Sequence, residues 1–62
     1  MKTIIKEQVK VFAVDMGKKD VENQIKKKGG KILTITSTAE VVEVGFEQEL
    51  MCTYNIIYEI NE

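Results

Sequence analysis

Apolar and polar residues alternate along most of this chain, in a pattern that predicts three β-strands and one helix. From Glu7 to Val14, apolar side chains recur at every second position and indicate a first strand, which begins as early as Thr3. A second strand starts at Lys31. After a turn from Gly45 to Glu49, a third strand runs from Leu50 to Ile60 and carries apolar or aromatic side chains on both faces.

The second predicted strand is long and changes character in the middle. Its alternation weakens from Ser37 to Glu40, where we expect a bulge or a bend. Val41 to Val44 continue the strand beyond that point. Thr36 and Thr38 belong to a row of hydroxyl side chains along it, which either lines a ligand groove between subunits or faces solvent.

A single helix is predicted over Lys18 to Lys28. Val21 and Ile25, four residues apart, form its narrow apolar stripe. Asp15 is one candidate cap, and Gly17 with Asp20 is the other, because a carboxylate is favourable near a helix N-terminus. Lysines fill the last turn and Gly29-Gly30 ends the helix, since glycine adopts the left-handed conformation common there.

The order β-α-β-β defines one small α+β domain, residues 1–62. The second and third strands form a hairpin, and a crossover through the helix brings the first strand alongside the third. We therefore expect a three-stranded, mainly antiparallel sheet of order 2-3-1 with the helix on one face. One short helix cannot cover an apolar sheet on both sides, so the other face is predicted to meet a second copy of the chain.

Composition excludes several classes of protein. The chain has one cysteine and no histidine, so neither an intrachain disulfide nor a nitrogen/sulfur metal site is available, and a reducing, cytoplasmic location is expected. No stretch resembles an export signal or a membrane span. Cys52 lies within an apolar run and no histidine can activate it, so we predict a packed thiol and no catalytic residue.

Charge is distributed unevenly along the chain. All nine basic residues are lysines within positions 2–31, whereas the chain from Ile32 onward contains six glutamates and no cation. The bland interpretation is a basic helix face beside an acidic sheet rim. The alternatives are attraction between subunits or binding of an anion. Without arginine and with near-neutral net charge, nucleic acid is not an expected partner.

Besides the threonine row, three places are candidate ligand sites: the helix start, the cationic corner Gly29-Gly30-Lys31, and a pair of tyrosines on the third strand. Gly17, Lys18 and Lys19 combine free backbone N–H groups with ammonium groups at the helix start, which suits phosphate or another anion. Tyr54 and Tyr58 share one face of the third strand, where they either stack on a base or ring or belong to the core. No cofactor is predicted.

Lys10-Val11-Phe12, Lys31 to Ile35 and the closing Asn55-Ile56-Ile57-Tyr58-Glu59 resemble a small late-sporulation protein family of Bacillus with phage-borne relatives. The resemblance covers most of the chain and implies a Gram-positive or phage protein, but brings no established activity. Length and element order are also similar to dodecin, a flavin-storing oligomer. Dodecin stacks its flavin on tryptophan, which this chain lacks.

These observations predict a non-enzymatic homo-oligomer that holds or sequesters an anionic or nucleotide-like small molecule between subunits. Phage proteins that sequester nucleotide signals are of this size, so phage kinship favours this function. The alternative is a protein-interaction module or inhibitor that binds its partner through the sheet. Flavin storage of the dodecin type is a further alternative.

Overall fold

A computed structural model describes residues 1–61 of the chain. It contains three strands and one helix, in the predicted order: β1 (Lys2–Phe12), α1 (Lys18–Lys27), β2 (Gly30–Val44) and β3 (Glu47–Asn61). The helix agrees with its predicted bounds to within one residue. β1 begins one residue before Thr3, the earliest predicted start, and ends at Phe12, so Ala13 and Val14 belong to the connection that follows it.

The strands form one antiparallel sheet of order β1-β3-β2, which confirms the predicted topology. β3 lies in the centre and pairs with both other strands, with Val9 and Ser37 opposite Tyr54 on either side. Because β1 and β2 are both antiparallel to β3, they are parallel to each other, and α1 is the crossover between them. This explains why β3 carries the most buried residues of the sheet.

The helix lies on one side of the sheet, here called the helix-side face; the other side is called the open face. Val21 and Ile25 of α1 form the core with residues that alternate along β3, and every member is at most 6% exposed: Val21, Ile25, Tyr54, Ile56 and Tyr58. The predicted two-residue stripe is therefore the part of the helix that packs. Met16 also packs against this core from the connection before the helix.

Both ends of the helix are closed by backbone groups and one side chain. Gly17 is the N-cap, and its N–H donates to Oδ2 of Asp20 at 3.0 Å. At the other end, the N–H of Gly29 donates to the Lys26 carbonyl at 2.9 Å, and Gly29 has a φ of 82°, the left-handed conformation expected of a stop signal. Of the two predicted caps, the structure has Gly17 with Asp20.

Gly30 permits the close approach of helix and sheet. A Cβ atom at this position would lie 2.8 Å from Cγ2 of Ile25 and 2.9 Å from Cδ2 of Tyr58. Any larger residue would therefore push the end of the helix away from β3.

Two local predictions were wrong. The register shift in β2 lies between Ile32 and Thr34, whereas pairing with β3 runs without interruption from Ser37 to Glu40. The apolar Ile32 and Leu33 followed by Thr34 and Ile35 give no break in the sequence pattern, yet β2 changes register there and so keeps Ile32 and Ile35 on the helix side. The hairpin turn is also tighter than predicted, since β3 already begins at Glu47.

The hairpin of β2 and β3 extends beyond the rest of the fold. β1 makes its last pairing between Phe12 and Met51, and residues 41–50 continue as a two-stranded ribbon, here called the arm. The molecule measures 49 × 16 × 14 Å. A ten-residue helix is only about 15 Å long, so α1 covers the helix-side face over less than half of the sheet.

Candidate functional site

The predicted anion site at the helix start is already occupied by a carboxylate of the chain itself. The N–H of Gly17 donates to Asp20, and the connection before it adds Asp15 to the depression along the helix, which has a volume of about 610 Å³. Lys18 and Lys19 are exposed at this helix end. The two aspartates supply negative charge where the sequence prediction placed a ligand anion.

Tyr54 and Tyr58 are core residues, in agreement with the second of their two predicted roles. They are 6% and 3% exposed beneath the helix, so neither ring has a face open to a ligand in this chain. Desolvation, with a smaller contribution from the neighbouring Cys52, raises the pKa of Tyr54 above its ordinary value of 10.0. The hydroxyl of Tyr54 is therefore neutral at physiological pH.

Thr36 and Thr38 are exposed on the open face, on the opposite side of the sheet from the tyrosines. Thr36 lies opposite Asn55, whose Oδ1 accepts a hydrogen bond of 3.1 Å from Nε2 of Gln8. Thr38 lies opposite Thr53. Hydroxyl and amide side chains thus cross the whole width of the sheet as one polar band, with lysines of β1 alternating along its edge.

The seven residues predicted to bind a ligand therefore occupy three separate places: the helix start, the core and the open face. Thr36 and Thr38 are joined by further uncharged polar side chains on the open face, whereas the helix start lies beside the acidic Asp15 and Asp20. The reason is the two-residue periodicity of β3: Tyr54 and Thr53 are adjacent in sequence yet lie on opposite faces.

The arm is a surface that the sequence analysis missed. Val41 and Leu50 are directly opposite each other on its helix-side face, and they are 64% and 46% exposed. Phe46, at the tip, is fully exposed, and Val44 and Val14 are exposed nearby. The sequence contains a signal for this surface, since Val41 to Val44 and Leu50 are as apolar as the core segments. The pattern alone, however, does not show how far along the sheet the helix extends.

A cleft of about 430 Å³ lies where the arm meets the β1–α1 connection. It is lined by residues from both segments: Ala13, Val14, Gln48, Glu49 and Leu50. The N–H of Ala13 donates to the Leu50 carbonyl at 2.9 Å, which fixes the connection beside the arm. The helix start therefore faces the root of the arm.

Charge separates along the length of the molecule as it does along the sequence. Glu43, Glu47 and Glu49 are on the arm, which has no lysine. The ion pairs within residues 1–61 lie in the other half, between Lys2 and Glu59 and between Lys28 and Glu7, each at 3.5 Å. The arm is consequently both apolar and acidic, whereas the rest of the molecule carries all the lysines.

Over residues 1–61, no three histidine, cysteine or carboxylate side chains come close enough together to hold a metal ion. Within residues 1–61, α1 is not long and apolar enough to cross a membrane. Comparison with protein-family models, curated proteins and solved structures finds no match. The resemblances to the late-sporulation family and to dodecin therefore stay predictions.

Proposed function

We propose that this chain is a non-enzymatic protein that acts by binding other polypeptide, with the arm as its interaction surface. The observation that carries the proposal is the exposure of Val41, Phe46 and Leu50 on a ribbon that projects beyond the helix. Several large apolar side chains exposed on one projecting element are a feature of interaction surfaces, although the Glu43–Gln48 pair separates Val41 and Leu50 from Phe46. The acidic side chains around them supply the polar rim of such a surface.

Burial of the arm's apolar side chains in an interface would stabilise a complex. Each of its large apolar side chains contributes about 1.5–3 kcal/mol when it passes from full exposure to full burial, before the entropy cost of association. Phe46 has most to gain, since it is fully exposed in the free subunit. Phenylalanine is one of the residues enriched in the buried centres of protein interfaces.

The surroundings of Cys52 support a non-enzymatic role. This half-buried thiol lies on the helix-side face, and its partners across the strands are Val11 and Ala39. A nucleophilic thiolate needs a base or a cation beside it, whereas these two cross-strand neighbours are apolar and the nearby Tyr54 hydroxyl is neutral.

A photo-crosslinking amino acid at position 46 tests the proposal in the cells that produce the protein. We expect covalent adducts of defined mass, which mass spectrometry identifies as either a second copy or another protein. The same amino acid at position 8, on the open face of the packed half, is the matched control and should give far less adduct. Equal or absent adducts at both positions would contradict an interaction role for the arm.

The polar band of the open face favours a second candidate function, the binding of an anionic or nucleotide-like small molecule between subunits. Thr36, Thr38 and the hydrogen-bonded Gln8–Asn55 pair offer donors and acceptors beside the lysines of β1. Native mass spectrometry of gently purified protein tests it. A releasable ligand that is lost in Thr36→Val/Thr38→Val supports this function, and ligand-free protein counts against it.

A further inference from the structure

We infer that the outer edge of β2 pairs with the same edge of a second copy of this chain, antiparallel and around a two-fold axis near Ser37. The two subunits then share one six-stranded sheet with the two β2 strands in its centre. The segment that pairs is residues 34–40, here called the β2 edge. The inference goes beyond the proposed role of the arm, because it concerns a different surface.

The chain exposes more surface than a compact protein of its mass. Its accessible surface is 4701 Å². A compact monomer of 7.1 kDa exposes about 4,100 Å². The excess of about 600 Å² is comparable with the roughly 800 Å² that each partner buries in a protein interface of standard size. The elongated chain therefore has surface to lose when it associates.

Both outer strands of the sheet have backbone groups that another strand can bind. Within residues 1–61, β1 and β2 each pair with β3 on one side only. Alternate N–H and C=O groups along their outer edges therefore point away from the sheet, as in any edge strand. A strand added to either edge would replace hydrogen bonds to water with a regular ladder.

The β1 edge is protected by charge. Its open face carries lysines at positions 2, 6 and 10, and Glu7 is on its other face. Two β1 strands paired around Lys6, Glu7 or Gln8, in the middle of the strand, would oppose like charges in every case. Charged side chains placed in this way oppose edge-to-edge pairing.

The β2 edge lacks this protection. It has no charged residue before Glu40, no proline and no glycine, and it consists largely of β-branched residues. The register shift between Ile32 and Thr34 lies just outside it, so its seven residues form an uninterrupted strand. Six of the seven are exposed, which shows that the helix leaves this edge accessible.

Symmetry and side-chain chemistry favour an axis near Ser37, the middle of the β2 edge. Residues at equal distances from a two-fold axis lie opposite each other in an antiparallel pair. Thr36 then lies opposite Thr38 of the second copy, and such hydroxyl pairs stabilise neighbouring strands. At each end, the Thr34 hydroxyl can donate to the Glu40 carboxylate. An axis at Glu40 itself would instead bring two carboxylates together.

This dimer leaves the arm available. An axis perpendicular to the sheet keeps both helices on one side and joins the polar bands of the two open faces. The hairpin tips lie toward opposite ends of the shared sheet, and Phe46 lies beyond the paired segment. The β2 edge and the arm can therefore act independently.

A charge swap across the axis tests the arrangement. Sedimentation velocity on the full chain, over a range of protein concentrations, should show a monomer–dimer equilibrium. Thr36→Lys/Thr38→Lys and Thr36→Glu/Thr38→Glu should each weaken the dimer about tenfold or more, because each places like charges opposite each other twice. An equimolar mixture of the two variants should form a heterodimer, since opposite charges then meet at both pairs.

Two controls separate the β2 edge from net charge and from the arm. Ile4→Lys/Gln8→Lys adds the same charge to exposed positions of β1 and should leave the dimer intact. Phe46→Ser should leave it intact as well. If the β1 variant weakens the dimer as much as the β2 variants, or if the mixture stays monomeric, pairing through the β2 edge is overturned.

Cross-linking on the axis gives a readout that does not depend on charge. In a Cys52→Ser background, Ser37→Cys should form an intersubunit disulfide under mild oxidation, because opposite residues of paired strands are close enough to be bridged. Gln8→Cys, at an exposed position of β1, should not. A wild type that is monomeric at all concentrations overturns the inference, whereas photo-crosslinks from position 46 to another protein would still support the proposed role of the arm.

Discussion

The two halves of the β2–β3 hairpin both carry apolar residues on the helix-side face, but in opposite environments. In the half beneath the helix, Tyr54, Ile56 and Tyr58 form the core. In the arm, Val41 and Leu50 lie on the same face of the same strands, yet both are exposed. The strands are continuous between the two halves. The difference in burial therefore comes from α1, which begins at Lys18 and does not extend over the arm.

The packed core and most of the large exposed apolar residues lie in different parts of this small protein. The packed half has the close helix–sheet contact at Gly30 and a core in which no buried side chain is polar, within residues 1–61. The arm has the apolar residues that this core does not use. The exposed apolar side chains of the arm are therefore outside the packed core.

The largest effect is expected from a cavity in the packed half. Ile56→Ala should lower the free energy of unfolding by about 2–5 kcal/mol, since Ile56 is fully buried against the helix. Ile4→Ala, which removes the same atoms from an exposed position, should cost far less. Urea unfolding followed by circular dichroism compares them, and Ile56→Val, at about 0.5–1.5 kcal/mol, serves if the alanine variant does not fold. Equal losses at positions 4 and 56 would mean that the core lies elsewhere.

A somewhat smaller loss is expected where helix and sheet touch. Gly30→Ser should destabilise the fold by about 1–3 kcal/mol, because its Cβ would collide with Ile25 and Tyr58. Gly17→Ser is the matched control: its nearest neighbour is 3.9 Å away, and serine is a good N-cap residue. Thermal unfolding of both variants measures the difference. A neutral Gly30→Ser would show that the helix end can move freely away from β3.

A weaker, pH-dependent effect is expected from Tyr54. Its pKa is raised in the folded state, so the folded chain holds the phenolic proton more tightly than the unfolded chain does. The associated stability is present below pH 10.0 and is lost as pH rises through the folded pKa. Tyr54→Phe cannot lose this proton, so its stability relative to wild type should improve with pH above about 10. Urea titrations at pH 8 and above pH 10 test this, and a constant difference between the two proteins would contradict it.

The smallest effect on the fold is expected at the tip of the arm. Phe46→Ser should change the stability of the dilute subunit by no more than about 0.5 kcal/mol, because the side chain contacts solvent. Phe12→Ser, at a half-buried position of β1, should cost more. Chemical unfolding at low protein concentration compares the two. A large loss at position 46 would show that the arm is part of the folding unit, and the separation between the halves would fail.

Much of the architecture could be predicted from local patterns. The stripe of Val21 and Ile25, the lysines of the last turn and Gly29 define the helix almost to the residue, because helix periodicity and end signals are local. The sheet order followed from the β-α-β-β sequence and the two-sided apolar character of β3. The turn at Gly45 was predicted in the right place but too long, since Glu47 to Glu49 are too polar to be predicted as strand residues on their own pattern.

The candidate site was less predictable, because it depends on which residues from distant segments share a face. Tyr54 was a candidate for ligand stacking and is buried in the core, while Thr36 is exposed on the other side of the sheet. The bulge at Leu33 sets the register of β2 on β3, and no local feature of the sequence distinguishes it from an ordinary strand position.

The sequence by itself determined the order and type of the elements, the absence of a cysteine pair and the separation of lysines from glutamates, because these are properties of composition and local periodicity. Only the tertiary structure decided where the helix stops on the sheet. Because of that boundary, Tyr58 is buried beneath the helix and Val41 is exposed beyond it, although both lie on the same face of one hairpin. Burial depends on what lies above a side chain, and in this chain that is set by a ten-residue helix crossing a sheet more than twice its length.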